Sequence, residues 1–166
     1  MAVAIAKKTF PTHVNLPEEN RQKLHDLLNL HLANALNLKT QVKHAHWNVK
    51  GAHFYQLHLL FDSVASHLEE HGDLIAERIT ALGGVANGTL LQAAAATTLA
   101  PYDLDAVTGD EHLHALTERV GQYANGIRKA IDSSNNLGDQ GTADIFTEVS
   151  REIDKDLWFI EAHLQG

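Results

Sequence analysis

Two pairs of metal-ligating side chains occur at four-residue spacing in one stretch of the chain. His58 and Asp62 form one pair, and Asp73 and Glu77 form the other. Residues four apart share a helix face within about 6 Å, and at about 100° per residue both pairs fall within one arc of about 100°. Imidazole with carboxylate suits iron(II), manganese or zinc, and so few donors leave positions open for an oxidant, as redox chemistry requires. The same spacing also fits a solvated face on which such pairs fall by chance.

The two pairs lie too far apart along one helix to meet at one ion. His58 and Asp73 are fifteen residues apart, which is about 22 Å along a helix axis. Either each pair is a half-site completed by other helices, or one site is shared between two copies of the chain. In a two-fold dimer with antiparallel copies of this helix, two equivalent shared sites form. We favour the shared site because it closes without further assumptions.

Four long amphipathic helices are predicted to position these side chains. Apolar residues recur at three- and four-residue steps, and the first stripe begins near a cap at Asn15 or Leu16 followed by Pro17. Gly83 and Gly84 end the second stripe. The predicted helices cover about 17–48, 53–82, 109–131 and 140–165, with a turn-rich stretch at 133–141.

The connection between the second and third helices sets the predicted architecture. Residues 85–108 form this long crossover, in which 93–96 are expected to make a short helix. A long crossover makes helices two and three parallel, as in ferritin-like four-helix bundles. The predicted fold class is therefore an all-α, ferritin-like bundle over residues 17–166, preceded by a flexible arm over residues 1–16.

Composition limits the classes of function. The chain has 166 residues, a net charge of −8, 12 His and no Cys. The lack of cysteine excludes disulfides, thiol nucleophiles and iron–sulfur ligation, and the acidic balance argues against a nucleic-acid surface that is basic overall. The first residues do not resemble a secretory signal, and no window resembles a membrane span, so a cytoplasmic protein is expected.

The residues around both pairs resemble one known family. The segment from Lys43 to Asn48 (KHAHWN) is followed by Gly51, Phe54, His58, Asp62, Asp73, Ala76-Glu77-Arg78, Leu82-Gly83-Gly84 and, near the end, Asp154 to Glu161. Together these residues resemble the Dps family, the ferritin-like mini-ferritins named as DNA-binding proteins from starved cells. The resemblance covers roughly residues 15–165.

The resemblance implies a function and a set of ligands. Dps proteins form hollow dodecamers built from two-fold dimers, oxidise iron(II), typically with hydrogen peroxide, and store the ferric mineral inside. By position, the di-iron centre would take His46, His58 and Asp62 from one chain and Asp73 and Glu77 from its partner, with zinc or manganese as substitutes for iron. Glu77 would be the strongest ligand, and Trp47 would be a redox neighbour or an interface aromatic.

The resemblance also bears on iron access and on DNA. Acids at the start of the last helix, Asp139, Asp144 and Glu148, would line a pore through which iron(II) enters, although acids also favour any helix N-terminus. The arm offers few phosphate-binding cations, mainly Lys7 and Lys8, so weak or absent DNA binding is expected. The alternatives are a nucleoid DNA-coating shell with secondary metal binding, and a bundle that buffers zinc or manganese. The sequence predicts no role for the ten other histidines.

Overall fold

Five α-helices make up the fold, and the four long ones form a bundle. The computed structural model describes residue 3 and residues 7–165. That part of the chain contains no strand beyond one isolated bridge pair, Lys50 with Thr108, and no helix in it is long and apolar enough to cross a membrane. The helices are α1 (Glu18–Asn48), α2 (Phe54–Ala81), α3 (Leu90–Ala96), α4 (Gly109–Asn136) and α5 (Gln140–Ala162). The predicted all-α class is confirmed.

The apolar stripes of the long helices meet in one core. Phe61 of α2, Tyr123 of α4 and Phe146 of α5 are fully buried there, together with Leu28 and Leu38 of α1. Helix α1 packs along α2, α4 packs along α5, and contacts of α1 with α4 and of α2 with α5 close the bundle. Burying a large apolar side chain contributes about 1.5–3 kcal/mol relative to exposure, so the residues whose periodicity predicted the helices also hold them together.

The crossover between α2 and α4 carries the predicted short helix. Helix α3 begins at Leu90, earlier than the alanine run suggests, because Thr89 and Gln92 form a capping box at its start. A second capping box, from Thr108 and Glu111, starts α4. The crossover is therefore ordered at both ends by local hydrogen bonds.

The start of α1 differs by one or two residues from the prediction. Pro17, not Asn15 or Leu16, occupies the N-cap. The Pro17 carbonyl accepts the first helical bond from the Arg21 amide at 3.0 Å. Proline suits this position because its fixed φ is compatible with helix entry and its missing N–H is not needed there.

The end of α4 also differs from the prediction, since 133–136 are helical and not part of a turn. The hydroxyl of Ser133 donates to the Lys129 carbonyl at 2.9 Å, and that of Ser134 donates to the Ala130 carbonyl at 2.7 Å. These bonds satisfy both hydroxyls within the helix. The chain turns only at Gly138, whose φ of +79° lies in the left-handed region.

The N-terminal segment before α1 has no helix or strand in its described residues, while residues 1, 2 and 4–6 of the predicted arm lie outside the described part. The Phe10 amide donates to the Gly83 carbonyl at 2.8 Å. Gly83 has φ +80°, and a Cβ at this position would collide with the Phe10 carbonyl oxygen. Glycine is therefore required where the segment crosses the end of α2.

Candidate metal centre

Two imidazoles stack where the end of α1 passes the start of α2. The ring centroids of His46 and His58 are 3.8 Å apart, and their planes differ by 20°. Nδ1 of His46 lies 2.7 Å from the carbonyl oxygen of His58, and Nδ1 of His58 lies 2.9 Å from the carbonyl oxygen of His46. Each ring is therefore fixed to the main chain of the neighbouring helix.

These reciprocal bonds determine which nitrogen of each ring carries the proton. A carbonyl oxygen only accepts, so Nδ1 of His46 and of His58 must donate. In the neutral ring, Nε2 then carries the free lone pair. Metal-ligating histidines commonly donate their other N–H to a carbonyl, which orients the ring and raises its basicity. The donor set therefore fits a metal ion bound through Nε2.

A carboxylate stands beside the two rings. The first cause of the lowered pKa of Asp62 is its hydrogen bond with Lys43, whose ammonium lies 2.7 Å from Oδ1, and the charges of His46 and His58 act in the same direction. The Lys43 ammonium also lies 5.8 Å from the centroid of the Trp47 ring. The single chain thus brings His46, His58 and Asp62 together, with Lys43 held on the carboxylate.

The second predicted pair stays separate within the single chain. Asp73 and Glu77 are exposed on α2, on the arc of that helix that also carries Asp62. Among the described residues of one chain, no three His, Asp or Glu side chains form a group arranged to hold a metal ion. The pair Asp73 and Glu77 therefore faces outward, about 22 Å along the helix from His58.

Exposed apolar side chains surround the histidine pair. Trp47 is 69% exposed, Tyr55 is 65% exposed and Leu59 is 49% exposed. On α2, Tyr55 and Leu59 project near 60° and 100° from His58, within about the same arc as the three carboxylates. Large exposed apolar side chains near one another on a helix face are a feature of interaction sites.

The three acids at the start of α5 do not share one environment. Asp139 is buried, and both of its carboxylate oxygens accept from Arg78 Nη2 at 2.7 Å. Asp144 and Glu148 are exposed. Of the predicted pore residues, only these two present free carboxylates at the surface of the single chain, while Asp139 is occupied by an ion pair that joins α5 to α2.

Comparison with known proteins decides the family. The family model of a ferritin-like domain matches residues 25–166. A DNA protection during starvation protein from Agrobacterium fabrum is 47% identical over 158 residues, which cover 95% of this chain and 98% of that protein. The chain belongs to the Dps family.

Solved Dps structures share the fold over nearly the whole chain. The archaeal Dps homologue from Halobacterium salinarum has a TM-score of 0.90 and 32% identity, covering 98% of this chain and 91% of that one. The Dps protein from Vibrio cholerae, described as a member of a broad superfamily of ferritin-like diiron-carboxylate proteins, has a TM-score of 0.86 at 25% identity, covering 98% and 99%. The ferritin-like character expected from the crossover is confirmed for this Dps chain.

The structure of this Dps chain also gives contacts to residues that the sequence left without a role. Lys43 stands in the Dps motif, but no spacing rule connects it to Asp62 on another helix. His25 Nε2 lies 3.0 Å from the Leu82 carbonyl, and His67 and His71 contact carboxylates of α5. The four-residue spacing of His67 and His71 on α2 could have indicated that the two rings act together, but sequence alone does not say which helix they face.

Proposed function

We propose that this Dps-family chain is a ferroxidase and iron-storage protein whose centres are shared between two subunits. Membership of the Dps family supports iron storage and DNA protection in general terms. The observation that carries the specific proposal is the reciprocal bonding of His46 and His58. It leaves the Nε2 lone pair of each neutral ring free on the side of α2 near Asp62, and imidazole with carboxylate is a donor type that suits a divalent cation.

A second subunit would supply the remaining ligands. Antiparallel packing of two α2 helices brings Asp73 and Glu77 of one chain to His58 and Asp62 of the other, at two equivalent positions. The exposed Tyr55 lies on the same helix face, so the contact that completes the ligand set would also bury apolar surface. The proposed assembly is a dodecamer of such dimers.

Iron(II) is the substrate, and hydrogen peroxide is the proposed oxidant. Two iron(II) ions each give up one electron, the O–O bond breaks, and two protons are taken up to form two water molecules. Because both electrons are delivered together, no hydroxyl radical is released. Three carboxylates offset the charge that rises as iron is oxidised. The diiron-carboxylate superfamily supports iron, and nothing supports zinc or manganese in its place.

Protection of DNA is proposed to follow from this chemistry and not from tight DNA binding. Lys7 and Lys8 are the cations of the described N-terminal segment, and the ammonium of Lys8 lies over the Phe10 ring at 5.1 Å. With a net charge of −8 per chain, counterion release on DNA would be small. Retention of duplex DNA in a gel shift at about 150 mM salt would favour the nucleoid-coating alternative instead.

Iron(II) is proposed to reach the interior through a pore lined by Asp144 and Glu148. Carboxylates gathered in a ring raise the local concentration of cations. The exposed position of both acids supports this role. In the single chain, Asp139 is instead placed to anchor the first turn of α5.

The ferroxidase proposal is tested by anaerobic addition of iron(II) followed by peroxide. We expect fast formation of the ferric absorption band and about 24 iron(II) ions bound per twelve chains, two for each proposed centre. The variant His58→Ala/Asp62→Ala should remain assembled, as measured by particle mass, but oxidise iron at a sharply reduced rate. The control Glu69→Gln removes an acid from the same helix face and should behave like the wild type. Equal rates in the wild type and the double variant would overturn the site assignment.

A further inference from the structure

A second group of imidazoles and carboxylates lies between α2 and α5. Nδ1 of His67 is 3.1 Å from Oδ1 and 3.0 Å from Oδ2 of Asp156. Nε2 of His71 is 3.0 Å from Oε2 of Glu152. The side chains of His71 and Asp156 are almost fully buried, and those of His67 and Glu152 are 29% and 38% exposed. This α2–α5 cluster thus reaches from the bundle interior to the solvent.

The Asp156 carboxylate determines which nitrogen of the His67 ring carries the proton. Two oxygens at nearly equal distances from Nδ1 indicate one N–H shared between them, so in the neutral ring Nε2 carries the lone pair. This Nε2 faces Oε1 of Glu152 across 4.0 Å. Bonds from imidazole nitrogen and carboxylate oxygen to a transition metal are about 2.0–2.2 Å long. Two such bonds that meet at a tetrahedral or right angle place their donor atoms about 3.0–3.4 Å apart, so an approach of about 0.6–1 Å by Oε1 would bring both atoms within reach of one ion.

We propose that His67, His71 and Glu152 bind a divalent transition-metal ion within each chain, and that Asp156 positions His67 for this. Two histidines four apart on a helix present both rings to the same side. Two imidazoles and one carboxylate form a set used for Zn²⁺ and for Fe²⁺, with the other positions left to water. The carboxylate behind the His67 ring completes the carboxylate–histidine–metal arrangement seen at such sites.

The α2–α5 cluster is separate from the proposed shared centre. His67 and His71 project about 180° and 220° from His58 around α2, which is the far side of that helix. The ion would be held by one chain, whereas the shared centre needs two. The inference therefore does not depend on the proposed ferroxidase function.

The proposed site needs a side-chain movement to close. The described residues include no three-ligand group already arranged around an ion. In the neutral ring, Nε2 of His71 donates to Glu152, so an ion must displace this hydrogen bond and the His71 proton must move to Nδ1. Oε1 of Glu152 must also move closer to Nε2 of His67, as its partly exposed side chain allows. The cluster as it stands is also incompletely bonded. Nδ1 of His71 and the hydroxyl of Tyr123 are buried without a hydrogen-bond partner among the described residues, and the two rings stack at 6.4 Å. Such groups are uncommon in a purely structural polar network.

Cobalt(II) tests the site, because it reports both its own binding and its ligands through visible absorption bands. The starting protein carries His58→Ala/Asp62→Ala, so that the proposed shared centre is disabled. We expect one Co²⁺ per chain with an absorption spectrum of mixed imidazole and carboxylate ligation. Adding His67→Gln should weaken this binding at least about tenfold, and adding Asp156→Asn should weaken it by about 10–100-fold, as is typical for residues that orient a ligand. Adding His114→Gln, which changes an exposed histidine of α4, should leave it unchanged.

Circular dichroism and particle mass establish that each variant is folded and assembled. If His67→Gln does not fold, Glu152→Gln decides, because it changes a partly exposed side chain to one of equal size with a neutral head group, and it should also weaken Co²⁺ binding. Absence of Co²⁺ binding in the folded starting protein would overturn the proposal. Binding that is unchanged by both His67→Gln and Glu152→Gln would overturn it as well.

Discussion

In the isolated chain, the Lys43 ammonium is bound to Oδ1 of Asp62, one of the oxygens through which this carboxylate could bind a metal ion. The ammonium lies 2.7 Å from this oxygen, with side-chain exposures of 26% and 52%. A cation that binds Asp62 competes with Lys43 for Oδ1 and is repelled by the nearby ammonium even when it binds the other oxygen. The local charge of the candidate centre is therefore set by a residue that is itself unable to bind a metal ion, because a lysine ammonium has no lone pair.

Lys43→Gln should tighten binding of the first iron(II). Exposed ion pairs are worth about 0.2–1 kcal/mol, which corresponds to a dissociation constant lower by up to about fivefold. Anaerobic iron(II) titration measures this. The matched control is Lys39→Gln, which breaks a similar pair with Glu69 at 2.8 Å and should change nothing. Unchanged or weaker binding in Lys43→Gln would contradict this role.

His31 is a buried histidine outside the candidate metal centre and the α2–α5 cluster. It should make the stability of the chain depend on pH. It is 5% exposed, it packs edge-on against Phe146, and burial lowers its pKa to about 4. The folded chain keeps the ring neutral, whereas the unfolded chain binds a proton below about pH 6.5. The stability that this ring contributes is thus complete above about pH 6.5 and is lost as the pH falls toward about 4.

The variant His31→Leu tests this linkage. The full pKa difference corresponds to at most about 3 kcal/mol. We expect the free energy of unfolding in urea to fall less between about pH 7 and about pH 4.5 in His31→Leu than in the wild type. The exposed substitution His114→Leu serves as the control and should follow the wild type. Equal losses in the wild type and His31→Leu would show that this ring is not the linked group.

At the scale of elements, one ion pair fixes the start of α5 against α2. Arg78 donates from Nη2 to both oxygens of Asp139 and from Nε to the Thr142 hydroxyl at 3.0 Å. Burial opposes the charge on Asp139, but the hydrogen bonds from Arg78 and Thr142 outweigh it and lower the pKa of this carboxyl. Its stabilisation is thus present above the unfolded pKa of about 3.9 and is lost in stronger acid.

Arg78→Met should destabilise the chain by about 2–3 kcal/mol, because it leaves a buried carboxylate without its cation. Denaturant unfolding at neutral pH measures the loss. Arg128→Met is the matched control, since it breaks the more exposed pair with Asp154 at 2.6 Å and should cost under about 1 kcal/mol. Similar losses in the two variants would mean that Arg78 does not anchor α5.

The helices were predictable from the sequence to within a few residues, whereas most contacts between them were not. Periodic leucines indicate a helix because each side chain repeats its position after one turn. The exception was the end of α4, where serines that favour turns bond back into the helix instead. Pairing across helices follows no spacing rule. His67 meets Asp156 across 89 positions, and the carbonyl bonds of His46 and His58 depend on how α1 and α2 cross.

At the scale of the whole molecule, the candidate centre is incomplete in one chain. His46, His58 and Asp62 stand together, and Asp73 and Glu77 face outward on the same side of α2. The Dps resemblance predicts that the ligands are divided between two subunits, and the helix geometry allows this among other arrangements. In the proposed dimer, a half-site on an exposed, partly apolar face would be completed by the same contact that buries the apolar side chains.

Subunit mixing tests the shared centre most directly. One variant, His58→Ala/Asp62→Ala, lacks the ligands of one side, and the other, Asp73→Ala/Glu77→Ala, lacks those of the opposite side. Each alone should be nearly inactive with iron(II) and peroxide. In a mixed dimer, one of the two sites regains every ligand while the other loses all four of the replaced side chains. Random pairing of equal amounts should therefore restore about one quarter of the wild-type centres and of the oxidation rate. Mixed assemblies no more active than either variant alone would contradict a centre shared between subunits.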